Sequence, residues 1–510
     1  MDEEREFDTS LKLIAKSSVV VFIGFAFSKI LTYIYRIIIA RNFGPEAYGL
    51  FSLALMVASW ITILAIFGLD EGLLRYISIF RGRKEENKIR YIFRASFYLL
   101  LVTGLIGGAI MFFSSSFFSN RVFNEPGLKI FLQIFSLSVP FSVVFAAFIS
   151  PLKAYEKIGW YSFISNILIT AVHVGFILLL VLAGLKVIAV PLSYLFGIFI
   201  GLVVSVLVLK KKVPSIFTKP KIEKKINEKK KEVFREVLAY SWPLLFAGIV
   251  WRIFHWTDSF FIGFFQNAVD VGIYNAAVPI AMLLLISSQI FMQLFYPLIN
   301  KEYSRGRKET VKELSKQVGK WIFAITLPAF ILLIVFPEAF LNILFGEEYI
   351  VAVGALRLLA FGAFFMSLLG ISNRLITMIG KSKIIFMDII IVAAINVVLD
   401  IFLIPRYGIN GAAFATAISF LLISVISAVQ AFLYLKIFPV RRKMFNIIIS
   451  GLISLGILLY LKTIIPFSIL SLILLAIFFL AVYIILAFLF KGFDRNDIMI
   501  FKSFLRKVKK

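Results

Sequence analysis

The chain has 510 residues, 61% of them hydrophobic, and a formal net charge of +26. An apolar share this far above the roughly 45–50% of soluble domains excludes a globular cytosolic protein, and the absence of cysteine excludes disulfides and thiolate chemistry. Two histidines in separate apolar runs give no metal-ligand spacing, so no metal and no other cofactor is expected.

Taken in chain order, apolar runs of about 20 residues or more recur from end to end, each long enough as a helix to cross about 30 Å of hydrocarbon. The reading is an all-α polytopic membrane protein with about 14 transmembrane helices. They fall at 17–40, 46–69, 91–114, 129–150, 158–182, 187–209, 239–264, 272–299, 319–341, 352–378, 384–404, 409–435, 445–464 and 468–490. The alternating short segments of a membrane barrel are absent from the sequence. An acidic, polar start at Met1-Asp-Glu-Glu-Arg-Glu precedes a first run too long for the apolar core of a signal peptide, so the first span is expected to be retained.

With the N-terminus inside, the inner segments carry 42 Lys and Arg and the outer loops six. That asymmetry predicts a multi-pass protein of the plasma membrane with both termini cytoplasmic. It also accounts for most of the net charge. The clusters Lys210-Lys-Lys and Lys224 to Lys231 read as topological charges facing anionic lipid, and no nucleic-acid partner is expected.

Residues 210–238, rich in Lys and Glu and containing Pro214 and Pro220, form a predicted cytoplasmic linker with a helix along the membrane surface. They separate an N-terminal six-helix lobe, 1–209, from a C-terminal six-helix lobe, 239–435. Residues 436–510 add a helix pair, with few polar residues besides Lys462, and a basic cytoplasmic tail. The lobes are repeats: Gly49-Leu-Phe-Ser-Leu-Ala54 falls on Gly272-Ile-Tyr-Asn-Ala-Ala277 at an offset of 223, while Lys157 meets Lys381 and Gly184 meets Gly408 at 224. Six spans is an even number, so the repeats run parallel, related by an axis normal to the membrane.

Lys29 and Arg252, also 223 apart, are isolated bases near the middle of apolar spans. A charge at that depth is costly enough to mark a functional site, and transporters place such sites between repeats. Arg36 lies one or two turns further out. Like Arg357, it is placed to reach either headgroups or a ligand, whereas Arg75 and Arg374 lie near the inner face and are expected to snorkel. His255 is at helical spacing from Arg252 and Asp258 at helical spacing from His255, so the three either neutralise one another or form part of one site. In span eleven Asp388, Asn396 and Asp400 share a face that must look into the bundle, toward a coupling cation, a sugar, or a partner such as Arg252 or Arg374. Gln289 and Gln293 share a face of span eight as sugar contacts or interhelical hydrogen bonds. His173 reads as a packing residue. Trp160, Trp242, Trp251, Trp256 and Trp321 fall mostly near interfaces, and Pro140, Pro243, Pro279 and Pro297 mark bends.

Two stretches carry a resemblance. Ser28-Lys-Ile-Leu-Thr-Tyr-Ile-Tyr-Arg-Ile-Ile-Ile-Ala-Arg-Asn-Phe-Gly-Pro-Glu-Ala-Tyr-Gly-Leu-Phe-Ser-Leu-Ala54 resembles the opening of the polysaccharide flippases of the multidrug/oligosaccharidyl-lipid/polysaccharide exporter superfamily. Ile404-Pro-Arg-Tyr-Gly-Ile-Asn-Gly-Ala-Ala-Phe-Ala-Thr-Ala-Ile-Ser419 is a second match. The resemblance implies a MATE-like fold of two six-helix lobes with an added pair. It implies export either of lipid-linked sugars or, with a coupling cation, of drugs.

Charge separates these branches. A cation-extruding antiporter is expected to present a buried carboxylate in its first lobe, and span one has none; Asp70 and Glu71 lie at the cytoplasmic end of span two beside Arg75. Lys29 facing Arg252 would attract an anion, such as the phosphate or pyrophosphate between an oligosaccharide and its polyprenol. Lipid II flippases, to which span one is also similar, carry arginine where this chain has Lys29. The expected partners are a polyprenyl-linked oligosaccharide, membrane lipid, a coupling proton or sodium ion, and other membrane proteins of glycan assembly. A membrane glycosyltransferase or ligase would need acid or base groups and a sizeable outer loop. The longest outer loops here, 115–128 and 342–351, are about a dozen residues; the latter contains Glu347-Glu-Tyr with no His or acidic motif near it in sequence, so no catalytic residue is expected.

Overall fold

The computed structural model describes the backbone of residues 2–218, 227–465, 468–493 and 497, with side chains from residue 27 onward except 227–230, 247, 251, 294 and 469. The part of the expected surface helix at 219–226, the Trp251 ring and the basic tail from residue 498 lie outside the described residues. Every long element is helical: α1 (Asp2–Ile66), α2 (Leu69–Gly82), α3 (Glu86–Phe117), α4 (Leu128–Ala154), α5 (Ile158–Ser162), α6 (Ile169–Leu182), α7 (Ala189–Lys212), α8 (Asn227–Phe265), α9 (Ala268–Met282), α10 (Leu285–Ser304), α11 (Lys308–Val335), α12 (Pro337–Leu344), α13 (Val353–Leu369), α14 (Ile371–Met378), α15 (Ser382–Leu435), α16 (Met444–Ile464) and α17 (Ile469–Leu489). The reason is solvation, because in hydrocarbon a backbone amide has no partner but its own helix.

At 65 residues α1 would be about 98 Å long if straight, some three hydrocarbon thicknesses. It breaks at Gly44, whose φ of 76° and ψ of 179° suit only glycine, and Pro45 then offers no amide to continue the ladder. The 54-residue α15 breaks in the same manner at Gly408 (φ 54°, ψ −136°), three residues after Pro405. Each glycine-rich stretch quoted above for its resemblance contains one of these breaks.

Eleven described helices are long and apolar enough to cross a membrane, and twelve if α9 and Leu285–Gln293, bent by 45°, form one span. The expected fourteen is not reached by this count, in which the stretches Phe27–Gly82 and Ser382–Leu435 stand once each despite their glycine breaks. The bend after Met282 follows Pro279 by one turn. Pro140 and Pro243, by contrast, sit inside unbroken α4 and α8.

The chain groups into two compact units, Met1–Asn275 and Ala276–Lys510. The division falls within α9 rather than in the 210–238 linker, because α8 packs on α1, α2 and α3. Small residues permit the close approach of α1 to the start of α9 and of the α1–α2 turn to α8. A Cβ on Gly49 would lie 1.7 Å from the Ala268 carbonyl oxygen, and one on Gly272 would lie 1.9 Å from the Pro45 oxygen. Gly49 and Gly272 are the repeat-equivalent pair, so the two copies of one sequence position touch backbone to backbone. Further along, a Cβ on Gly68 would lie 2.3 Å from the Ser241 oxygen, and between these points Trp60 packs on Phe260 at 5.6 Å between ring centres.

In the second unit α15 packs along α13 and α14. The added pair packs on α11. Leu458 of α16 and Leu475 and Phe479 of α17 form one buried cluster with Ile331 and Val335 of α11, and the Lys462 ammonium donates to the Val335 carbonyl at 2.9 Å. Beyond α17, Asp497 is buried, paired with the fully buried Lys320 at 2.5 Å and accepting from the Trp321 indole at 2.7 Å and from the Gln317 amide. Trp321 is therefore a structural donor, packed on Phe291 and Phe295, rather than an interfacial anchor. Trp160 and Trp242 are 41% and 49% exposed.

Candidate functional site

The bases that the repeat pattern singles out gather within the first unit. Lys29 and Arg36 stand two turns apart on the first arm of α1, before the Gly44 break. Arg252 and His255 stand one turn apart on α8. Lys29, Arg252 and His255 are exposed rather than packed, and Arg36 is half-buried. Arg36, Arg252 and Lys29 each act electrostatically on the His255 ring.

Arg36 is held by a neighbouring tyrosine. One guanidinium nitrogen donates to the Tyr48 hydroxyl at 3.4 Å, and that hydroxyl donates to the Asn275 carbonyl at 3.0 Å. Tyr48 is fully buried just past the Gly44 break, so the turn itself aims the arginine inward. Tyr33 lies in the field of Arg36, and Tyr194 in that of Arg252. Behind them the Tyr35 hydroxyl meets the Ser193 hydroxyl at 2.9 Å, and His173 packs between the Tyr35 and Tyr194 rings at 5.3 and 5.0 Å. His173 is thus the packing residue expected.

Asp258 is not the counter-ion of Arg252. Its carboxylate accepts from the Tyr274 hydroxyl, turning it toward α9, while the neighbouring Ser259 hydroxyl accepts from the Asn275 amide at 3.0 Å. Neither Arg36 nor Arg252 forms an ion pair among the described residues. Like charges near one another repel, and an anion entering beside Arg36 and Arg252 relieves that repulsion. A tetrahedral phosphate offers enough oxygens for a lysine and two arginines, and the guanidinium forks can grip it in bidentate fashion.

The other expected site residues belong to the second unit. Asp388, Asn396 and Asp400 share the buried side of α15, at 8%, 1% and 0% exposure. Asp388 accepts from the Gln430 amide at 2.7 Å, so its partner is an amide of its own helix's second arm rather than an arginine. Gln289 and Gln293 are exposed on α10 and form no hydrogen bond among the described residues. Arg357 is exposed and, among the described residues, donates only to the Ile334 carbonyl at 3.3 Å, and Arg374 is exposed. Arg75 stacks on the Tyr240 ring at 4.2 Å. Sequence reasoning missed Tyr33, Tyr48 and Tyr194, because a tyrosine in an apolar run reads equally well as a packing ring.

Comparison with known proteins agrees with the resemblance. A family model described as polysaccharide biosynthesis protein matches residues 14–302, and the MatE model matches residues 243–402. The probable low-salt glycan biosynthesis flippase Agl15 of Haloferax volcanii is 25% identical over 89% of this chain and 90% of its own length. The putative O-antigen transporter of Shigella flexneri is 22% identical over 80% of this chain and 95% of its own. Among solved structures, the lipid II flippase MurJ in an inward closed conformation superposes with a TM-score of 0.70 at 18% identity, covering 93% of this chain and 99% of that one.

Proposed function

The chain belongs to the polysaccharide biosynthesis protein family, and from that premise we propose that it is a flippase moving a polyprenyl-(pyro)phosphate-linked oligosaccharide from the cytoplasmic to the outer leaflet. It is a transporter rather than an enzyme, in keeping with relatives named as flippase and transporter. The observation that carries the substrate class is the grouping of Lys29, Arg36 and Arg252 around His255, with no ion pair to either arginine among the described residues. A drug antiporter for cations would be poorly served by such a site, and for that reason the anionic substrate is preferred.

In this reading the phosphate group enters beside α1 and α8 and is held by Lys29, Arg36 and Arg252, and the polyprenol tail remains in lipid. Alternating access carries the sugar across. The topology we assign has fourteen spans, counting α1 and α15 as two crossings each, with both termini cytoplasmic by the positive-inside rule. Asn396 and Asp400, four residues apart and enclosed in the second unit, offer oxygens suited to a small hard cation, so we assign coupling by a sodium ion or proton to them. The test is reconstitution in vesicles with a fluorescent lipid-linked oligosaccharide. Movement between leaflets without bond formation is the expected result, and appearance of a new glycosidic product would overturn the proposal.

A further inference from the structure

A cavity of about 440 Å³ opens in the second unit where α10, α11, α14 and α15 end. Its charged lining comes from three separate places in the chain. Lys308 begins α11, Lys381 precedes the first turn of α15, and Lys436 follows its last. Tyr303 and Tyr434 complete the polar rim. The Lys381 ammonium sits 3.8 Å above the Tyr434 ring, which positions the charge without neutralising it.

No carboxylate lines this cavity, and none of the three lysines forms an ion pair among the described residues. The acids nearest in sequence are already engaged: Glu302 with Arg305 at 3.4 Å and Arg307 at 3.2 Å, and Glu309 with Lys312 at 2.9 Å. Three lysines lining one cavity, with the Lys436 ammonium over the Phe432 ring at 5.4 Å, favour an anion within it. The wall behind them is apolar, formed by Val311 and Ile437 at 1% and 2% exposure. A phosphodiester with an attached glycerol matches both halves, its charge meeting the lysines and its carbon skeleton meeting the wall. The cavity lies at helix ends among basic segments, which the topology assigned above puts on the cytoplasmic side, where lipid headgroups sit.

We propose that this cavity binds the phosphate-bearing headgroup of an anionic membrane lipid, separately from the transported substrate. The shared chemistry, a phosphate gripped by lysines, also fits soluble phosphate, so the test has two arms. Full-length protein in detergent is titrated with short-chain phosphatidylglycerol, with short-chain phosphatidylcholine and with inorganic phosphate, and binding is followed by thermal shift and by native mass spectrometry. Phosphatidylglycerol is expected to bind in preference to the other two. At about five-fold per lysine, Lys381→Gln with Lys436→Gln weakens that binding roughly 25-fold. Lys312→Gln, which removes a charge paired with Glu309 outside the cavity, leaves it unchanged. If the double variant does not run as a single folded species, Lys308→Gln alone replaces it, with about a five-fold loss. Equal binding by wild type and variant overturns the proposal. Inorganic phosphate binding as tightly as phosphatidylglycerol overturns the lipid assignment.

Discussion

Replacing Gly49 with alanine tests whether the two repeat-related helices are sealed by backbone contact. The added methyl would stand 1.7 Å from the Ala268 oxygen, and both atoms belong to backbone, so no side-chain rotation relieves the clash. Reaching ordinary contact needs a separation of about 1.5 Å between residues 45–49 and 268–272. Overpacking of this kind costs about 1–3 kcal/mol, roughly a 5- to 150-fold shift away from the sealed arrangement. The chain has no cysteine, so Glu46→Cys and Asn267→Cys, both exposed beside the contact, take spin labels without background. Pulsed electron resonance should show one short distance in the parent. In the Gly49→Ala form it should show a longer one, along with a lowered melting temperature. Gly82→Ala is the control, since a Cβ there meets nothing within 4 Å. An unchanged distance distribution and melting temperature in Gly49→Ala would refute the reasoning.

Other consequences follow from particular contacts. Asp497→Ala leaves the Lys320 ammonium buried without its carboxylate and should cost about 3–5 kcal/mol, seen as a lower melting temperature with altered Trp321 fluorescence; the double change Lys320→Met with Asp497→Leu should recover most of it. Asp400→Asn should abolish the dependence of transport on a sodium or proton gradient while leaving glycolipid binding intact, read by flipping assays with and without each gradient. Arg357→Ala should change transport less than about two-fold in the same assay, because its guanidinium is exposed and meets only the Ile334 carbonyl.

Much of the architecture was legible because the hydrocarbon imposes it: apolar length gives the helices, and the repeat offset links Lys29 to Arg252 and Gly49 to Gly272 before any coordinates. What the offset does not tell is that Gly49 and Gly272 touch, since equivalence in sequence does not say where the axis relating the copies passes. Tyr48 was illegible as the partner of Arg36 because its role depends on the turn at Gly44 and on a carbonyl 227 residues away. The pairing of Asp258 with Tyr274 was hidden for a related reason: helical spacing pointed to His255, but an adjoining helix supplied the nearer hydroxyl. Lys320 and Asp497 are 177 residues apart, and nothing local distinguishes that lysine from the topological charges around it.

The central claim is that Lys29 and Arg252 hold the phosphate of the carried lipid. It is tested most directly by flipping of a fluorescent polyprenyl-pyrophosphate oligosaccharide in vesicles containing Lys29→Glu or Arg252→Glu protein, matched for insertion and amount. Each reversal removes an attraction of about 1.5–3 kcal/mol and adds a repulsion. The rate should therefore fall by more than about 30-fold in either variant, and wild-type rates in both would contradict the account.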